Sequence, residues 1–298
     1  MLLKLWFIFL MIGMASDEMQ TIKPVAGGFS FPEGPAWHAR KGILYVSNCY
    51  GNWLASYSNA RVDTFVLRPT YPFAFQATNG LVAARDGYLY ACDFKAGAIV
   101  RFDEKGRCYV YADKFNKTRF NRPNDLAFDQ EGNLYFTDPK SYDPENRDGT
   151  IYFVSRQTGK VAKKADNLAY PNGIALSADG NYLYVCESAM QRILRFPIQS
   201  DYSLTEYTVF AVLPGGDPDG IAFDEAGNLY VAHFGSGTVF ILDHAGEIVS
   251  QIKLPGMKPT NVEFADNDLQ TLYITEAEQN VLYKMTVKTP GLRLLYSY

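Results

Sequence analysis

The sequence predicts an all-β chain, a six-bladed β-propeller with four-stranded antiparallel blades around a central channel. Three observations carry this. First, a Leu-Tyr pair recurs at Leu44-Tyr45, Leu89-Tyr90, Leu134-Tyr135, Leu183-Tyr184, Leu229-Tyr230 and Leu272-Tyr273, at spacings of 45, 45, 49, 46 and 43 residues. That period is the length of one four-stranded blade. Second, each pair lies in the same local pattern, clearest over 213–237, LPGGDPDGIAFDEAGNLYVAHFGSG. There Asp219 precedes the apolar Ile221 and Phe223, Asp224–Asn228 forms a turn, and Leu229–His233 returns as a second strand. Third, aromatic residues make up 15% of the chain, with 21 Tyr and 20 Phe, and long helical patterns are scarce. Such side chains suit a pleated, half-buried surface.

In chain order, residues 1–15, MLLKLWFIFLMIGMA, place Lys4 before the apolar run Leu5–Ile12 and small residues at Gly13 and Ala15. This reads as a secretory signal: cleaved, it exports the chain to the periplasm or outside the cell; uncleaved, it anchors the chain. No later run is long enough to span a bilayer. Residues 16–298 then form one propeller domain, expected to be monomeric. A first strand, Thr21–Ala26, is expected to pair into the terminal sheet and close the ring, sparing it an exposed edge. Third strands follow at Ala98–Phe102, Thr150–Val154, Arg192–Phe196, Thr238–Leu242 and Val281–Met285. Fourth strands include Arg107–Tyr111 and Glu247–Ile252, and the last unit ends in Leu292–Tyr296. One such unit cannot bury both faces of its sheet, so the six must pack side by side.

The net charge is -4 with no basic stripe, which argues against a nucleic-acid partner. The four cysteines, Cys49, Cys92, Cys108 and Cys186, form no C-x-x-C arrangement, which argues against a cysteine zinc site. Export would permit a disulfide, but burial as small hydrophobes is the simpler reading.

The position ten or eleven residues before each Leu-Tyr pair holds Glu33, Asn79, Asn124, Asn172, Asp219 and Asn261. All six side chains carry oxygen. Asn and Asp also suit loop-to-strand junctions for local reasons, but Glu33 in FPEGP does not. Innermost strands line the channel, so the six form a ring at one mouth. Carboxylates and carboxamides without His or Cys suit a hard cation. Glu33 and Asp219 balance a divalent charge, and Asn124 and Asn172 complete four metal ligands. Calcium is expected, with Mg2+, Mn2+ or Zn2+ as alternatives. Asn79 and Asn261 are expected to support the ligands.

The hairpins return Asn48, Asp93, Asp138, Glu187, His233 and Glu276 to the same mouth as a second polar ring. Most are expected to be hydrogen-bond partners; Asp138 and His233 are chemically able to move protons. Loop 68–80 is expected to bring Tyr71, Phe73 and Phe75 to the rim, and loop 115–123 to bring Arg119, Phe120 and Arg122. The long polar loop 138–150 is suited to a lid. Arg122 lies two residues from Asn124, so both point the same way in extended chain. It is expected to bind a polar or anionic substrate oxygen.

FPEGPAW, RPNDLAFDQEGNLYFTD, PNGIALSADGNYLYV, DPDGIAFDEAGNLYVAHFGSG and PTNVEFADNDLQTLYITEA resemble the senescence marker protein / gluconolactonase / luciferin-regenerating enzyme family. The resemblance covers residues 28–285. It implies a propeller with a central divalent cation held by Glu33, Asn172 and Asp219, with Asn124 as ligand or substrate contact. It also implies a substrate-binding role for Arg122 and an acid/base role for Asp219. Asp138 lies where some lactonase members place a catalytic Asp. The expected reaction is metal-assisted opening of a small-molecule lactone or ester, with Asp219 as first choice of base and Asp138 as second. A phosphotriester or fluorophosphate hydrolase on the same site and a non-catalytic calcium-binding propeller are the alternatives.

Overall fold

The structure, a computed structural model, describes residues 21–51, 53–67 and 75–296. The signal reading of residues 1–15 and the expected rim residues Tyr71 and Phe73 lie outside the described residues. Six four-stranded antiparallel sheets form the blades. Blades 1 to 5 run strand by strand from the axis outward over 32–67, 78–112, 126–168, 171–212 and 217–253. Blade 6 takes three strands from 259–286, and Lys23–Gly27 pairs outside Val281–Thr286 as its fourth. The N-terminal strand therefore closes the ring, as expected from the need to cover an open edge. No helix among the described residues is long and apolar enough to cross a membrane.

Three of the recurring tyrosines pack one blade on the next. Tyr90, Tyr184 and Tyr230 meet Phe128, Phe223 and Phe264 of the next blade edge-to-face, at 4.9, 5.0 and 4.9 Å. Each such pair contributes roughly 0.5–1.5 kcal/mol beyond its buried area. Phe75 and Phe120 belong to this core and not to the rim. Phe75 packs on Phe102 at 5.4 Å and Phe120 on Phe136 at 4.9 Å, and both are buried. Their apolar rings gain more between sheets than at a wet mouth. Arg119 lies in a small hairpin, Lys114–Phe115 with Thr118–Arg119, and is exposed.

Innermost strands bulge where the ring of oxygen donors begins. Register shifts fall between Glu33 and Ala36, Thr78 and Leu81, Pro171 and Ile174, Pro218 and Ile221, and Pro259 and Asn261. A bulge re-aims a side chain, and here it turns the donor towards the axis. The glycine after the donor lets blades converge: a Cβ on Gly173 would stand 2.1 Å from the Asp219 carbonyl oxygen of the next blade.

The expected last strand, Leu292–Tyr296, is not part of a blade. Lys23–Gly27 already occupies the edge of blade 6, and Pro290 has no N–H for a ladder. The tail instead crosses the far mouth. Leu292 N donates to Phe223 O at 2.8 Å, Glu225 N to Pro290 O at 2.9 Å, and Arg85 N to Tyr296 O at 3.1 Å. The Tyr296 ring packs on Phe128 at 5.3 Å. It walls a chamber of about 90 Å3, lined by Asp125, Asn261, Glu263, Arg293 and apolar side chains.

Candidate active site

Among the described residues, an upper and a lower cavity lie along the axis. The upper one, about 200 Å3, is lined by Glu33, Asn79, Asn124, Asn172 and Asp219. Five of the six ring members thus meet where the repeat places them. The sixth, Asn261, lies one layer lower, in the tail-sealed chamber. The upper cavity holds the candidate chemistry, because the paired carboxylates Glu33 and Asp219 line it.

Both carboxylates are buried. Burial, reinforced by the charge of Asp125, pushes Glu33 up to about 8, against hydrogen bonds from Gly34 N–H and the Asn261 side chain. Burial and the charge of Glu33 push Asp219 well above the usual carboxylate range, and a bond from the Asn172 side chain offsets part of this. Asp219 Oδ1 has no hydrogen-bond partner. A buried carboxylate oxygen left unpaired is costly. Among the described residues no three His, Cys, Asp or Glu side chains converge as a metal site, so this floor depends on carboxamides for half its donors. Two carboxylates, one of them with an unpartnered oxygen, and the carboxamide oxygens of Asn124 and Asn172 fit a hard divalent cation.

Arg122 lines the same pocket, with its guanidinium 5.8 Å from the Phe94 ring centre. Asp138 does not line it. Asp138 is fully buried, and Oδ1 accepts Arg122 N–H at 2.7 Å while Oδ2 accepts Asn121 N–H at 3.0 Å. The carboxylate expected as second choice of base thus holds the segment that carries Arg122. Its counterparts do the same in other blades. Asp93 accepts from Gln76, Ala77 and Ala96, Glu276 from Lys258, Glu278 and Gln279, Glu187 from Ala169, and Asn48 from Ser30. His233 bonds Leu213 O through Nε2 at 2.9 Å and Ser236 Oγ through Nδ1 at 2.8 Å. Burial lowers its pKa.

Sequence reasoning missed most of the wall. Phe31, Tyr170 and Asp217 line the pocket, and each stands two residues before a ring donor. The same offset located Arg122, and extending it to every blade finds the other three. Tyr50, Phe94 and Phe234 also line it, one or two residues after a member of the second ring. Loop 138–150 reaches over blade 4: Tyr142 packs on Tyr170 at 5.2 Å and its hydroxyl donates to Asp217 Oδ1 at 2.6 Å. Phe31 and Tyr170 have φ of 64° and 57°, in the left-handed region. Such a backbone costs bulky residues of order 1–2 kcal/mol.

Residues 31–278 match the family described as SMP-30/Gluconolactonase/LRE-like region. The chain belongs to that family. It is 30% identical over 303 residues to a protein named gluconolactonase from Zymomonas mobilis, covering 92% of this chain and 83% of that one. It is 32% identical over 226 residues to Lactonase drp35 of Staphylococcus haemolyticus, covering 70% and 69%. A solved gluconolactonase structure from Xanthomonas campestris superposes with a TM-score of 0.79 at 28% identity, covering 90% and 89%.

Proposed function

We propose that this protein hydrolyses a lactone, using a divalent cation, calcium first, held by Glu33, Asn124, Asn172 and Asp219. The observation that carries the reading is the pair of buried carboxylates on the pocket floor, one with an unpartnered oxygen, beside a single guanidinium. Membership of a family whose relatives are named as lactonases supports it. Held by these four residues, a cation of this kind would supply polarisation of the ring carbonyl and offset charge developing on its oxygen.

The protein's own groups do the rest. Arg122 orients the substrate by a polar or anionic oxygen. Asp219 accepts a proton from the attacking water, whose oxygen bonds to the carbonyl carbon. The ring C–O bond then breaks, the departing ring oxygen takes that proton back from Asp219, and a hydroxy acid leaves. A metal-bound carboxylate is a weaker base than a free one, whereas burial and Glu33 raise the affinity of Asp219 for a proton. The aromatic wall keeps bulk water out.

The test is turnover of a lactone panel with and without chelator. Expected is loss of turnover on chelation and its return with calcium. Chelator-insensitive turnover, or turnover of phosphotriesters alone, would sink the reading.

A further inference from the structure

We infer that the corner between blades 2 and 3 is an anion-binding subsite at the pocket rim, so that the lactone turned over carries a carboxylate or phosphate arm. The inference rests on the lactone reading and adds the charge of its substrate.

Three cations meet there around one turn. Residues 94–97 join the second and third strands of blade 2. Phe94 lines the pocket, and the Arg122 guanidinium stands 5.8 Å from its ring centre. Arg119 Nη1 donates to the Ala96 carbonyl at 3.1 Å. Lys95 lies between these two contacts and is exposed. Lys117, also exposed, sits in the turn of the small hairpin that ends at Arg119. The frame is rigid: a Cβ on Gly97 would stand 2.5 Å from the Phe120 carbonyl oxygen, so the turn and the 119–122 segment touch backbone to backbone.

No acid neutralises the group. Among the described residues, no ion pair includes Lys95, Lys117, Arg119 or Arg122. The carboxylates of this corner, Asp93 and Asp138, are fully buried. Asp93 accepts the Ala96 N–H, and Asp138 accepts those of Asn121 and Arg122. Both therefore fasten the segments that carry the cations and leave the cations facing solvent. In a chain of net charge -4 this basicity is local.

The chemistry of the group fits an oxyanion. A guanidinium offers five N–H donors in a planar fork, and an ammonium adds a point charge beside it. Asp217 lines the pocket from blade 5, across the ring from blade 2. An anionic arm is repelled from that wall and drawn to the rim between blades 2 and 3, while the lactone ring stays over the carboxylate floor.

The experiment compares, on the calcium-loaded protein, a neutral δ-lactone with the same lactone bearing a carboxymethyl or a phosphate group. Calorimetry measures binding of the matching anionic lactams, which are not hydrolysed. Expected is a kcat/KM about tenfold or more higher for an anionic lactone at low ionic strength, together with lactam binding. The two arms show which oxyanion is taken, and preference for either supports the subsite. Added salt should shrink the preference, because exposed charges are screened. Lys95→Gln and Arg119→Gln should each cut it about threefold, and the double variant about tenfold. Glutamine at 119 keeps an amide able to donate to the Ala96 carbonyl. Equal turnover of charged and neutral lactones overturns the subsite. So does a preference unchanged in the double variant, which would trace it to Arg122 or the cation alone. Turnover of the neutral lactone without anionic lactam binding defeats the subsite and leaves lactone hydrolysis standing. Lactam binding that weakens in the double variant, with no lactone turned over, upholds the subsite and defeats hydrolysis.

Discussion

The carboxamide of Asn261 reaches Glu33 from below and ties it to Asp125. Asn261 Oδ1 accepts the Val262 N–H at 2.8 Å, so the Asn261 amide group is free to donate. Hydrogen bonds from Asn261 favour the ionised forms of both Glu33 and Asp125. One amide thus serves two buried carboxylates, one in the candidate metal site and one in the layer below. Asn261→Leu removes both donors and leaves the carboxylates less satisfied. The expected cost is about 2–3 kcal/mol in metal-free unfolding. Calcium affinity should fall about tenfold or more, the usual range for a group that orients a ligand. Unchanged calorimetric affinity would remove Asn261 from the site.

The same carboxylates give the metal-free protein a pH dependence of definite sign. Glu33 is pushed up from 4.5 to about 8 and Asp125 from 3.8 to about 7, both chiefly by burial. The folded state therefore binds protons more tightly than the unfolded state. Stability from these groups is complete below their unfolded values and is lost as pH rises through their folded values. Melting temperature without calcium should fall between about pH 4 and pH 8, a tenfold difference in proton affinity being worth about 1.4 kcal/mol. Saturating calcium should flatten the fall, because bound ligands are ionised throughout. A metal-free melting curve that rises over this window would contradict the assignment.

Removing charge at Asp219 should separate stability from function. Asp219→Asn deletes a buried charge that repels Glu33 and has an unpartnered oxygen. The metal-free variant is expected to be about 1 kcal/mol or more stabler than the parent at pH 8. Its calcium affinity and lactone turnover should be lost. A destabilised variant would show that the two carboxylates are not in tension.

The ring was legible because a propeller repeats its geometry: Glu33 and Asp219 share a place in the period, so they share a place in space. Less legible was depth. Asn261 fills the same sequence slot as Asn172, yet it lies one layer lower, where a Cβ on Gly220 would stand 2.0 Å from its Cγ. Asp125 is hidden from a reading by repeat because blades 1, 2, 4 and 5 carry glycine at that place and blade 6 carries Val262, so no other blade has a carboxylate there. Phe75 and Phe120 resemble rim residues in sequence because loops are normally exposed; both turn inward to packing that only the neighbouring strands reveal. The wall residues Phe31, Tyr170 and Asp217 were readable by the offset that located Arg122.

Asp138 offers a clean separation of positioning from proton transfer. Its two oxygens hold the N–H groups of Asn121 and Arg122, and burial pushes it up to about 6. Asp138→Asn keeps one acceptor and turns an NH2 against the other donor, at a cost of about 1–3 kcal/mol. The Arg122 segment loosens, and KM for the lactone should rise about tenfold with calcium affinity unchanged. Loss of a true base would instead lower kcat by about 100-fold or more. Steady-state kinetics on a lactone the parent turns over, beside calorimetry with calcium, distinguish the two: a collapse of kcat at constant KM would return Asp138 to the chemistry.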